Sequence, residues 1–421
     1  MSWRGGLAVA VAVAALVAPA AASALSLDEA IALAAKANPD LAQSRAQADA
    51  AAARVTQARA GFLPSVSVMA DAGSGTTDLG GFFGFGEADV KPRSAAIELR
   101  QPLFSGGAAL AAFDQARAGR DAAFAQAGGA RALLSARVAD AYVGVLSARE
   151  MLALNQAQVE RMVEAGRQAQ LRFERGEIPR TDVNQAEARL AEARAGLARA
   201  QGAVARGRAH FLAVIGVEPE ALEPLPDGPA PPASLDEAVA EALRASPALV
   251  AAQAGLRAAE AGARYAEAGR LPSVALTATA STVRDKFFPG YQADDVTVGV
   301  QGRWTLFAGG AIGGKVAEAK AGVRAARAAR DGAEANVREA VISAWSDLAA
   351  AKAVLVAATA QTAAASSALD DVRQEVRVGQ KPTLDLLDAQ RDLLAAQSAA
   401  VAARGEAVVA AYRLQALLRG A

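Results

Sequence analysis

The sequence predicts a mainly α-helical protein with a transmembrane β-barrel contribution, in which a helix–strand pair–long helical hairpin unit occurs twice. Three observations predict it. The first is repetition. Ser26-Leu27-Asp28-Glu29-Ala30 returns as Ser234-Leu235-Asp236-Glu237-Ala238, and Asn38-Pro39 as Ser246-Pro247. Leu63-Pro64-Ser65-Val66 returns as Leu271-Pro272-Ser273-Val274, and Leu103-Phe104 with Gly106-Gly107 as Leu306-Phe307 with Gly309-Gly310. Gly176, Pro179 and Asp182 return as Gly379, Pro382 and Asp385. The same order in both copies means one structural unit duplicated. The second observation is a change from helical to period-two patterning at matched positions, and the third is a pair of long Ala-rich stretches with heptad spacing.

Composition narrows the function classes. The 421 residues carry 44 basic and 44 acidic side chains. Zero net charge argues against a nucleic-acid partner, which needs a surplus of Lys and Arg. Much Ala and Arg with few aromatics favours helix over strand. The absence of cysteine removes disulfides, thiolate metal sites, cysteine nucleophiles and any lipid-acceptor cysteine. The only histidine, His210, is expected to be a half-exposed helix residue, since a metal ligand needs partners. No metal-ligand cluster, triad composition or phosphate loop supports an enzyme, and no cofactor is expected.

The N-terminus reads as an export signal over residues 1–24. Arg4 supplies the positive start, Leu7 to Val17 is a short apolar run, and Ala22-Ser23-Ala24 fits the small-residue cleavage rule. The mature chain then begins near Leu25. No other stretch reads as long and apolar enough for a transmembrane helix, so an exported chain is either soluble or inserted as a β-barrel.

The elements follow in order. The first repeat is expected over 25–217, a proline-rich linker over 218–233 and the second repeat over 234–421. Ser26 with Glu29, and Ser234 with Glu237, form capping boxes. The helix that follows is broken or bent at Pro39 or Pro247, and ends before Pro64 or Pro272. Strands are expected at about 64–73 and 94–104, and at about 272–282 and 295–307. Ile97 and Leu99 oppose Glu98 and Arg100. Val274, Leu276, Ala278 and Ala280 alternate with Thr277, Thr279 and Ser281. Val296, Val298, Val300, Trp304 and Leu306 alternate with Thr297, Gln301, Arg303 and Thr305. An apolar face opposite a polar one over roughly ten residues is the weak signature of a membrane barrel strand, and equally of a soluble sheet with one wet face. In a barrel, Glu98, Arg100 and Arg303 would line the lumen.

Helical hairpins are expected at about 106–216 and 309–419. The first arm of each is on the order of 100 Å long if unbroken. Tyr142 and Trp345 fall at matching points and suit a gap in helix packing. Gly176 and Gly379 suit the left-handed position after a helix, and Pro179 and Pro382 the start of the next. The returning arms carry Val183, Leu190, Leu197, Val204 and Phe211, and Leu386, Leu393, Ala400, Ala407 and Leu414, at seven-residue spacing. Such spacing gives left-handed supercoiled packing. The linker holds Pro219, Pro224, Pro226, Pro229, Pro231 and Pro232, and reads as extended and semi-rigid.

Four strands cannot close a barrel, since about eight are needed even for a side-chain-filled one. Open edges cannot sit in lipid. If the strands insert, the chain must oligomerise, and a trimer is the smallest assembly with an open bore.

On these residues the chain resembles the TolC family of outer-membrane efflux and secretion ducts. The resemblance covers essentially the whole mature chain. It rests on the Ser-Leu-Asp-Glu-Ala start with a following Asn-Pro, the Leu-Pro-Ser-Val strand starts, the Leu-Phe-x-Gly-Gly strand exits, and Gly379 followed by Leu384-Asp385-Leu386-Leu387-Asp388-Ala389-Gln390. It implies a homotrimer, a twelve-stranded barrel in outer-membrane lipid and an α-helical tunnel across the periplasm. It also implies partners: a periplasmic adaptor (membrane fusion) protein, and an inner-membrane ABC transporter or proton-driven efflux pump. The missing lipid-acceptor cysteine makes the chain more similar to the unlipidated branch, which often serves type I secretion of proteins; drug efflux is the alternative. By motif match, Asp385 and Asp388 face the axis at the periplasmic entrance as two stacked carboxylate rings, with a possible weak divalent-cation site. Thr181 and Asp182 are the first-copy partners that hold the closed state, and Lys381 stands where a gate-locking base is expected. Val376 stands where the family often has an aromatic, with Phe173 at the first-copy position. Gly176, Pro179, Gly379 and Pro382 mark the hairpin-tip turns, where an adaptor docks.

Phe82, Phe83 and Phe85, with Phe287, Phe288 and Tyr291, occupy the two strand-to-strand loops, as headgroup anchors or a lid. A soluble periplasmic coiled-coil adaptor would share the hairpins but lack four matched strands. A lipid-binding amphipathic helix would need wide apolar faces bordered by Lys and Arg rather than Ala-rich seams.

Overall fold

The computed structural model describes residues 24–81 and 86–418. The expected signal segment before Ala24, and Phe82, Phe83 and Phe85, lie outside the described residues. The first copy runs α1 (Leu27–Ala37), α2 (Pro39–Ala60), β1 (Ser65–Ala72), β2 (Gly75–Asp78), β3 (Glu87–Val90), β4 (Arg93–Phe104), α3 (Ala108–Glu174) and α4 (Arg180–Ile215). The second runs α5 (Leu235–Ala245), α6 (Pro247–Ala268), β5 (Ser273–Arg284), β6 (Gln292–Arg303), α7 (Ala311–Arg377) and α8 (Thr383–Leu418). Matched helices have equal lengths: 11 residues for α1 and α5, 22 for α2 and α6, 67 for α3 and α7, and 36 for α4 and α8. The copies diverge in the strands instead, where β2 and β3 add a two-stranded ribbon with no counterpart.

Local chemistry sets the helix ends. The Ser26 amide donates to Glu29 Oε2 at 3.0 Å while the Glu29 amide donates to Ser26 Oγ at 3.3 Å, a reciprocal capping box. These bonds hold the Glu29 carboxyl below the usual carboxylate range. In the second copy the Glu237 amide bonds Ser234 Oγ, but the Glu237 carboxylate accepts from Ala233 rather than Ser234. Asn38 breaks α1 from α2: its Oδ1 accepts from the amides of Asp40 and Leu41, and Pro39 starts the new helix.

The chain falls into two compact units. One gathers the described residues of 1–36, 138–227 and 359–405. Here Met162, Ala169, Val183, Ala186 and Leu387 form a small core, with Phe173, Ile178 and Leu190 packed against it. Further along, Tyr142, Phe211 and Ile215 are almost wholly enclosed. The Tyr142 hydroxyl lies 2.8 Å from the Leu25 carbonyl and 2.9 Å from that of Glu223.

The other unit gathers the described residues of 37–137, 228–358 and 406–421. Its core joins α5, α6, α7 and the end of α8 through Val239, Leu249, Val341, Leu348, Ala411 and Leu414, with Trp345 packed against the edge. Ala407 and Leu414 keep their heptad places here, both buried.

This second unit holds a four-stranded antiparallel sheet in the order β1-β4-β5-β6. Pairing puts Val66, Leu99, Ala278 and Val298 in one row, and Val68, Ile97, Ala280 and Val296 in the next. The opposite face carries Ser67, Glu98, Thr279 and Thr297 in one row, and Ser65, Arg100, Thr277 and Gly299 in another. Among the described residues nothing covers the apolar face: Val68 is 70% and Val296 79% exposed. Among the described residues no strand pairs with the outer edges of β1 and β6.

Two expectations need correction. Trp304 and Leu306 do not extend the last strand, because β6 ends at Arg303. The Trp304 indole instead donates to the Arg270 carbonyl at 3.1 Å, tying the exit of one strand to the start of another. In the first copy the chain stays paired to Phe104, through a register shift between Pro102 and Phe104; proline lacks the amide a regular ladder needs. Second, α7 and α8 each contain an 18-residue stretch apolar enough to cross a membrane, with mean hydropathy 1.5 and 1.2. Both helices are rich in alanine, which raises hydropathy while presenting little apolar area, so these stretches are weak evidence of a span.

Candidate functional site

The tips of the two hairpins are built alike. At the first, the Gly176 amide bonds Phe173 O at 2.8 Å and the Glu177 amide bonds Arg172 O at 2.9 Å. At the second, Gly379 bonds Val376 O at 3.2 Å and Gln380 bonds Glu375 O at 2.9 Å. Both are Schellman motifs, which require a left-handed residue. The glycines supply it, at φ +73° and +80°. Pro179 is the N-cap of α4 without a side-chain hydrogen bond, and Pro382 stands just before α8, so each proline lies one residue ahead of its helix.

Asp182 and Asp385 occupy the first turns of α4 and α8, where the helix dipole favours a carboxylate. Asp385 and Asp388 share one face of α8, three residues apart. Asp388 is already partnered: Arg189 Nη2 on α4 lies 3.0 Å from its Oδ1, and Arg391 Nη1 lies 3.8 Å away. A carboxylate held by two guanidinium groups is a poor cation ligand. Among the described residues no group of three or more His, Asp or Glu side chains could hold a metal ion.

Lys381 pairs with Glu375 on its own hairpin at 2.7 Å. That hydrogen bond, reinforced by the charges of Glu375, Asp385 and Asp371, raises the Lys381 pKa above its ordinary value. Thr181 is exposed and Asp182 half-buried, and among the described residues no side-chain hydrogen bond or ion pair joins either to the second hairpin. Arginines that sequence reasoning missed make the join instead. Arg189 reaches Asp388, and Arg172 donates to Thr383 Oγ1 at 2.9 Å while lying 3.3 Å from Glu177. Nothing in the heptad pattern marks Arg172 or Arg189, because each sits among many surface arginines.

At the sheet, Glu98, Arg100 and Arg303 share the polar face, and Arg100 Nη1 donates to Gln301 Oε1 at 3.3 Å. In the β5–β6 loop, Tyr291 meets Phe287 and Phe288 edge-on, with ring centroids 5.0 and 5.5 Å apart. His210 is half exposed and lies 4.0 Å from Asp140.

A duplicated chain of long helical hairpins, with a strand pair from each copy joined in one sheet, has the fold of outer-membrane channels. Solved structures agree. A membrane protein from Pseudomonas aeruginosa superposes with a TM-score of 0.81 at 21% identity, covering 93% of both chains. The outer membrane protein VceC from Vibrio cholerae gives 0.80 at 21% identity, covering 94% of this chain and 96% of that one. The family model described as outer membrane efflux protein matches residues 30–217 and 238–420. The chain therefore belongs to the outer membrane efflux protein family, and the outer membrane is its place. Outer membrane efflux protein BepC of Brucella suis is 33% identical over 276 residues, 65% of this chain and 60% of that protein. Protein CyaE of Bordetella pertussis is 32% identical over 310 residues, 72% of this chain and 64% of that protein. The matched regions span less than two thirds of both relatives.

Proposed function

We propose that this chain is the outer-membrane duct of an export machine: a homotrimer whose sheets join into a twelve-stranded barrel, continued by a helical tunnel into the periplasm. One observation carries this. The sheet has an apolar face with no cover, a polar face bearing Glu98 and Arg100, and two open edges. In water such a face would be a large apolar patch and such edges would invite aggregation. In lipid the face is satisfied, and edge-to-edge pairing of three copies removes the unpaired backbone groups. A conduit needs no catalytic group, only a bore, a field and a gate.

The tips would supply the gate. Three copies of Asp385 give a carboxylate ring that attracts cations, while Asp388, neutralised by Arg189, acts as a latch between hairpins. The tip turns at Gly176, Pro179, Gly379 and Pro382 offer docking points for a periplasmic adaptor coupled to an inner-membrane pump. We favour type I protein secretion with an ABC transporter, from the unlipidated resemblance. Likeness to the outer membrane efflux protein BepC supports efflux as the second reading, which would be drug efflux with a proton-driven pump.

Planar-bilayer recording tests the duct. Cation-preferring channels are expected from the purified protein, and Asp385→Ala should raise conductance and weaken block by divalent ions. A mature chain found freely soluble in the periplasm would sink the proposal. Deleting the gene and assaying secreted proteins against drug susceptibility separates the two export readings.

A further inference from the structure

The backbone at Leu25 is held from two sides. Leu25 forms a parallel bridge with Leu222 in the segment joining the two copies. Its amide nitrogen lies 2.9 Å from Ala221 O, and its carbonyl accepts from the Glu223 amide at 3.0 Å. The Leu25 carbonyl is also within reach of the Tyr142 hydroxyl, whose ring is wholly buried against Phe211. Pro219 nearby is fully buried, and its carbonyl accepts from Arg149. A new chain end produced at Leu25 would therefore not be free to fray as termini ordinarily do.

Ala22-Ser23-Ala24 places the expected cleavage immediately before this residue. We propose that the α-ammonium released at Leu25 is itself a structural ligand, captured by the Ala221 carbonyl, so that maturation locks the segment joining the two copies. The chemistry balances simply. An exported endopeptidase adds water across the Ala24–Leu25 peptide bond; Ala24 leaves as a carboxylate, and the Leu25 nitrogen takes up protons to become an ammonium. A neutral amide donor facing Ala221 O thereby becomes a charged one, and a charge-assisted hydrogen bond is roughly twice as strong as a neutral one. Two acidic residues stand beside Leu25, Glu29 accepting from the next amide at Ser26 and Glu223 bonded by its amide to the Leu25 carbonyl, against one guanidinium, Arg149, at the Pro219 carbonyl; the balance of charge favours the ammonium. The Leu25–Ala221 bond also has a partner on a different part of the chain, which makes the amine a cross-link between the N-terminus and the joining segment rather than a local cap.

The sign follows. A raised amine pKa stabilises the folded state below the ordinary α-amino value of about 7.7–8.0, and that stability is lost as pH rises through the folded value.

The test uses mature protein purified from the outer membrane. Mass spectrometry should find Leu25 at the N-terminus. Acylation of the α-amine, followed against pH, should give a pKa about one unit above that of the same protein in denaturant, with roughly fivefold slower reaction near pH 8. Inserting one glycine between Ala24 and Leu25 keeps a Leu25 amide donor but moves the ammonium away; its α-amine should react within about twofold of the unfolded chain. The pH titration of the unaltered protein stands without this variant. A mature terminus elsewhere, an unshifted amine, or equal protection in the insertion variant would each overturn the proposal.

Discussion

Tyr142 fills a gap between helices with a fully buried ring. Its match with Trp345 suits a gap-filling ring, and both rings do pack against helices. The Tyr142 hydroxyl also lies within hydrogen-bonding distance of main-chain carbonyls on two separate segments, which share its one proton. Burial pushes its pKa up to about 12. A raised value means this contribution to stability is complete below pH about 10 and lost between about 10 and 12. Stability measured by denaturant titration should fall across that window. Tyr142→Phe should remove the fall and cost about 1–3 kcal/mol at neutral pH, because the carbonyls lose a buried donor. At the tip, Arg189 and Asp388 are partly exposed, so a double-mutant cycle with alanine should return a coupling of about 0.2–1 kcal/mol, small for stability. Their effect on conductance should be larger, and unchanged conductance in Arg189→Ala would argue against the latch.

At the scale of elements, duplication made the helices legible. Ser26, Pro39, Gly176 and their counterparts fix helix starts and stops by local chemistry, and the 67- and 36-residue arms repeat without a residue's difference. The strand ends were less legible. The alternation of Trp304 and Leu306 fits a strand, yet the indole finds the Arg270 carbonyl, a partner set by the tertiary approach of two chain segments. Gly106 carries similar long-range information. It sits at φ +63°, and an added Cβ would lie 2.7 Å from Leu271 Cβ and 2.9 Å from Ala268 O. Gly309, its counterpart, is also left-handed but has open space around it. Gly106→Ala should therefore destabilise more than Gly309→Ala. The Gly309 change should cost about 1–2 kcal/mol for the left-handed backbone alone, and thermal unfolding of the two variants checks the order.

For the whole molecule, the faces of the sheet give the sharpest test. If the Val66–Leu99–Ala278–Val298 row faces lipid, Val298→Arg at mid-membrane depth should cost about 2–4 kcal/mol and abolish stable insertion. Thr297→Arg, one residue away on the other face, should leave insertion intact and alter ion selectivity. Equal tolerance of both changes would mean the sheet does not sit in lipid. Native mass spectrometry in detergent should find three copies, since four strands cannot close alone.

The duplicated order, the helix caps, the left-handed tip glycines and the alternation that makes a two-faced sheet were all legible in the sequence. These depend on residues near one another in the chain, where turn chemistry and periodicity act. Long-range pairings came only with the folded chain: Arg189 with Asp388 rather than Thr181 or Asp182 with the second hairpin, Trp304 with Arg270, and Leu25 with Ala221. Such pairings join residues far apart in sequence, and surface arginines, exposed aromatics and bare amides look alike until the fold brings one of them within hydrogen-bonding distance.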